Sequence, residues 1–127
     1  MADVNRGNRP LSPHLTIYRP QFTSVTSILT RITGNALIVG SLLTVWWLLA
    51  LASGPDYFAI ANGVMTSWFG KLVMLGSLWA LCYHYLAGLR HLWWDSGRGF
   101  ELDKAKTLAT IVVVGSFVLT LLALLII

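Results

Sequence analysis

The sequence predicts an all-α integral membrane protein with three spanning helices, and three observations carry that prediction. Of its 127 residues, 56% are hydrophobic and only 11% are charged, with a mean hydropathy of +0.70. A water-soluble domain of this length needs a far more heavily charged surface. The apolar residues gather in runs of about 20, the length a helix needs to cross the hydrocarbon core. The basic residues flank those runs.

The elements follow in chain order. Residues 1–22 form a polar arm punctuated by Pro10, Pro13 and Pro20. Repeated prolines forbid a continuous helix, so the arm reads as extended chain on the membrane surface or against a soluble partner. It has neither the apolar core of a cleavable signal nor the Arg- and Ser-rich, acid-free pattern of an organelle transit sequence. Residues 23–127 read as the membrane domain. Thr23-Ser24 offers capping hydroxyls, and the first span runs over about 28–52. Ser53-Gly54-Pro55-Asp56 stops it, and a short loop through Asn62-Gly63 follows. The second span covers about 65–94 and the third about 107–127, joined by the polar stretch Asp95–Lys106.

Charge sets the orientation. Arg6, Arg9, Arg19 and Arg31 precede or open the first span, and Arg90, Arg98, Lys104 and Lys106 cluster at the second connection. By the positive-inside rule the N-terminus is cytoplasmic and the C-terminus periplasmic. Lys71 can snorkel outward. Trp46-Trp47, Trp68-Phe69 and Trp93-Trp94 fall where aromatic belts belong. The expected location is a bacterial inner membrane rather than a mitochondrial one.

Several functions are excluded. The formal net charge of +4 flanks apolar runs instead of forming a patch, so no nucleic-acid partner is expected. The single Cys82 permits neither a disulfide nor a cysteine-held cluster within the chain, and reads as a small apolar filler. Gly97-Arg98-Gly99 lacks the strand–helix context of a nucleotide loop. No broken-helix pair or inverted repeat suggests a transporter. Any substrate oxidation by flavin or iron–sulfur chemistry would therefore have to take place on another polypeptide.

LCYHYLAGLRHLWWD, residues 81–95, carries the first candidate site. An ionisable side chain inside a span is costly and marks function by default. His84 precedes Trp94 by ten residues, roughly 15 Å along the helix, which puts it near mid-membrane. Two readings stand: a neutral ring hydrogen-bonded to another helix, or a ligand of haem iron. The neighbours favour haem b, with His84 as its axial ligand. Gly88 leaves the same face bare one turn on, room for a flat macrocycle. His91 follows at i+7, roughly 10 Å nearer the cytoplasmic surface. Arg90, His91 and Arg31 are expected to neutralise the propionates there. The chain offers no second axial ligand: His91 shares the helix of His84, and His14 lies in the polar arm. That ligand is expected from a partner subunit.

TSVTSILTRITG places Ser27 and Arg31 one turn apart near the start of the first span. They either anchor the helix at the headgroups or bind a quinone. In the second reading the serine hydroxyl donates to a quinone carbonyl and the guanidinium stabilises the developing anion. Arg31 cannot supply the proton. Asp95 either admits protons or merely ends its helix.

RPLSPHLTIYRP followed by SILTRITG, and then HYLAGLRHLWWD, resemble in order and spacing the two signatures of the cytochrome b membrane-anchor subunits of succinate dehydrogenase (complex II). The resemblance implies haem b on His84, with the other ligand from a second small anchor subunit. It implies a ubiquinone pocket at Ser27 and Arg31, beside an iron–sulfur subunit. A flavoprotein completes the complex, and FAD and iron–sulfur clusters reside in these partners only. Where the family often has a histidine before the arginine, this chain has Thr30, leaving a weaker hydroxyl donor beside the propionates. A haem-free anchor of a related fumarate reductase or other quinone oxidoreductase is the alternative.

Overall fold

The computed structural model describes residue 14 and residues 17–126. Residues 1–13, 15 and 16 of the proline-bearing arm therefore lie outside the described residues. Four helices follow one another: α1 (Phe22–Ser53), α2 (Pro55–Thr66), α3 (Trp68–Asp95) and α4 (Leu102–Ile126). Three of them, α1, α3 and α4, are long and apolar enough to cross a bilayer, and α3 packs between the other two.

The interior reverses the pattern of a soluble protein. Its buried residues are mostly small or hydroxylated, among them Ala50, Ala80, Ala87, Thr26, Thr33 and Ser116. Large side chains such as Leu42, Ile38 and Phe69 face outward. Lipid tails are as apolar as leucine, so burying leucine gains nothing there. Close backbone approach and interhelical hydrogen bonds hold the bundle instead. At Gly40 a β-carbon would sit 2.8 Å from Ser77 Oγ and 3.1 Å from its Cβ, so only glycine admits α3 at that crossing.

Two expectations are corrected. The segment read as a loop through Asn62-Gly63 is the helix α2. Gly54, at φ 132°, closes α1, and Pro55 at the first helical position opens α2 at once. Tertiary partners hold it there: Trp46 Nε1 donates to Tyr57 Oη (2.8 Å) and Trp47 Nε1 to Asn62 Oδ1 (3.3 Å). Ser67 then caps α3, accepting the Gly70 N–H at 3.1 Å. Nor do Thr23-Ser24 cap α1. Its N-cap is Gln21 with no side-chain bond, while Ser24 Oγ pairs with Tyr18 Oη at 2.8 Å.

Helix α4 starts at Leu102, so the second connection is the short stretch 96–101, where Gly97 and Gly99 take positive φ. Asp95 is the last residue of α3. From the first turn of α4 the Lys104 ammonium donates to Glu101 Oε1 at 2.9 Å and holds that carboxyl below the usual carboxylate range.

Candidate functional site: an intramembrane imidazole against the first span

The seam between α1 and α3 presents Thr26, Thr30 and Thr33 at helical spacing. Each hydroxyl donates to a carbonyl of its own helix: Thr26 to Thr23 O, Thr30 to Thr26 O, and Thr33 to Leu29 O. Their oxygens stay available to accept from α3.

His84, half-buried, meets this seam. Its Nδ1 lies 3.1 Å from the Thr30 carbonyl and 3.4 Å from Thr33 Oγ1. A carbonyl only accepts, so the proton belongs to Nδ1 and Nε2 carries a free lone pair. A β-carbon at Gly34 would stand 3.0 Å from His84 Cε1, so that glycine is the seat of the ring. One turn on, a β-carbon at Gly88 would meet nothing within 4 Å. Toward the α2 end, an apolar groove of about 560 Å³ opens between α1 and α3, lined in part by Gly34, Ser77 and Leu81. An imidazole with its tautomer fixed and Nε2 bare, beside an open glycine, fits the requirements of an axial haem ligand. Among the described residues no cluster of three His, Cys, Asp or Glu side chains offers another metal site.

Ser27 and Arg31 are brought together. Arg31 Nη1 donates to Ser27 Oγ at 2.9 Å and to Ser27 O at 3.2 Å. The serine oxygen thus accepts from the guanidinium and keeps its own proton to donate. Arg31 is exposed and Ser27 half-buried. His91 is not joined to Arg31. It turns Nδ1 to the Ala87 carbonyl (2.7 Å) and sets its ring edge-on to Trp94, 5.4 Å between centroids.

Two expectations at the propionate end change. Arg90 is buried, 4% exposed, and does not stand at the surface with His91. It lies 100° around the helix from His91, where Nη1 donates to Thr26 Oγ1 (3.2 Å) and Nη2 to Thr30 Oγ1 (3.5 Å), with the Trp94 ring 4.8 Å away. The Thr30 hydroxyl spends its proton on Thr26 O (2.9 Å) and has none for a propionate. Sequence reasoning also missed Tyr83, fully buried, whose hydroxyl donates to Thr26 O at 2.8 Å. The threonine stripe at spacings of four and three was the available signal for a polar partner on α3.

Fold and site together define a three-span helical membrane protein with a histidine on its middle span whose Nδ1 is engaged by the first span. The chain matches, over residues 5–123, the family described as the succinate dehydrogenase/fumarate reductase transmembrane subunit, and it belongs to that family. It is 52% identical to the succinate dehydrogenase cytochrome b556 subunit of Paracoccus denitrificans, covering 99% of this chain and 97% of that one. The subunit of the same name from Rickettsia typhi is 41% identical (90% and 89% covered). The succinate dehydrogenase cytochrome b560 subunit of Marchantia polymorpha is 42% identical (79% and 77%).

Proposed function

We propose that this chain is the haem b-binding membrane anchor of a succinate:quinone oxidoreductase. The single observation that carries the reading is the His84 ring, its Nδ1 on the Thr30 carbonyl and its Nε2 free. The family and the cytochrome b names of its relatives support it. His84 Nε2 would hold the haem iron, with a second small anchor subunit supplying the other ligand. Haem b, when bound, supplies a one-electron redox centre in the membrane. Arg31 and His91 serve its propionates.

Ser27 and Arg31 also form this chain's part of the ubiquinone site. The Ser27 hydroxyl donates to a quinone oxygen while Arg31, already bonded to Ser27 Oγ, stabilises negative charge arriving on it. Guanidinium keeps its proton, so the protons come from water or a partner. FAD and the iron–sulfur clusters belong to the flavoprotein and iron–sulfur subunits, which dock on the cytoplasmic face where the N-terminal arm begins. The complex sits in a bacterial inner membrane, with the C-terminus periplasmic.

The test is the complex purified through a tag on this subunit, wild type against His84→Ala. Reduced-minus-oxidised spectra and a pyridine haemochrome assay are read on both. The b-type band disappears or changes its ligation signature in the variant. An identical band in both would remove His84 from the iron, and wild-type complex without haem would reduce the chain to a haem-free anchor.

A further inference from the structure

Among the described residues Arg90 is the only charged side chain that is buried. No described carboxylate pairs with it, the one ion pair among the described residues being Lys104–Glu101 at the exposed start of α4. Its hydrogen bonds go to two neutral hydroxyls, Thr26 Oγ1 and Thr30 Oγ1, and its buried Nε has no acceptor. A cation withdrawn from water without a counter-ion is costly. Tyr83 already ties α3 to the Thr26 carbonyl without any charge. A clamp between two helices does not need a guanidinium.

The charge does have a neighbour on which it can act. Thr30 accepts from Arg90 through its hydroxyl and from His84 Nδ1 through its carbonyl, so one residue links the cation to the imidazole. Along α3 the two are six residues apart, about 9 Å. We infer that Arg90 is a positioning residue for His84 whose fixed positive charge raises the electron affinity of the iron held there. The inference rests on the haem reading above. Reduction adds one electron, and hence one negative charge, to the iron–imidazole unit, and a nearby cation favours that state. The field of the Arg90 charge also makes the nearby Thr30 carbonyl a weaker acceptor, so it pulls less on the Nδ1 proton and the imidazole donates less to the iron. Both effects have the same sign. With that axial rise of about 9 Å taken as the scale of the separation and an effective dielectric of about 20, a unit charge changes the reduced-to-oxidised ratio on the order of tenfold.

The experiment is a redox titration of the haem band in the purified complex, with mediators and dithionite supplying the electrons. At the potential where wild-type haem is half reduced, Arg90→Gln shows a reduced-to-oxidised ratio about tenfold lower, with haem content unchanged. Arg90→Lys, which keeps the charge, stays close to wild type. Thr26→Asp sets a carboxylate against an intact Arg90 and lowers the ratio as well, which decides the matter if Arg90→Gln fails to assemble. An unmoved ratio in Thr26→Asp or Arg90→Gln, or equal shifts in Arg90→Gln and Arg90→Lys, overturns the inference and leaves Arg90 a helix clamp. Absence of haem from the wild-type complex is a separate result that removes the parent reading instead.

Discussion

The crossing of α1 and α3 at Gly40 is the contact most open to a quantitative test. In Gly40→Ala the new β-carbon would stand 2.8 Å from Ser77 Oγ and 3.1 Å from Ser77 Cβ, against about 3.5–4.0 Å for ordinary non-bonded contact. Rotating the Ser77 hydroxyl away would break its 2.8 Å bond to the Val73 carbonyl and still leave the Cβ too close. The helices must therefore separate by roughly half an ångström, and overpacking of this kind costs about 1–3 kcal/mol. Alanine's better helix propensity returns about 1 kcal/mol. Ser77→Gly removes both offending atoms and alone weakens α3 by roughly 0.5 kcal/mol. Combined, the two substitutions exchange the small and the larger partner across the seam. The expected coupling is about 1–3 kcal/mol in favour of the double variant, read by SDS-titration unfolding of the purified complex with tryptophan fluorescence. Additivity within about 0.5 kcal/mol would mean the two positions do not touch, and the account of how these spans pack would fall with it.

Two further outcomes are expected. Ser27→Ala and Arg31→Leu slow quinone reduction at least several-fold while succinate oxidation with an artificial acceptor is kept; equal loss of both activities would point to failed assembly. Tyr83→Phe removes the 2.8 Å bond to the Thr26 carbonyl and costs about 0.6 kcal/mol in the same SDS titration, the average worth of an interhelical hydrogen bond in a membrane; no change would show the hydroxyl is not engaged.

The spans were legible because a bilayer imposes a length, and no tertiary partner can shorten that requirement. Pairing of Ser27 with Arg31 was legible for an equally local reason, since residues four apart on a helix are neighbours. The helix α2 was not. Ser-Gly-Pro-Asp and Asn-Gly are turn signals in isolation, and only the indole donors of Trp46 and Trp47, eleven and fifteen residues away, turn this stretch into a helix. Arg90 was misplaced because it was grouped with basic residues by sequence proximity. Its position on the wheel, one step round from His91, sends it into the threonine seam. That His84 sits within an apolar span was readable from the sequence, whereas its tautomer required the Thr30 carbonyl on another helix.

The first two spans are joined at three levels: by α2 at one end, by glycine against serine at the middle, and by the Tyr83 and Arg90 bonds to Thr26 and Thr30 at the other. A pair fixed at three heights cannot scissor. In a thicker or thinner bilayer it has to tilt as one plank, or make the lipid deform around it. The groove that opens at Gly34, the seat of the His84 ring, lies between those ties and keeps its shape as the pair tilts.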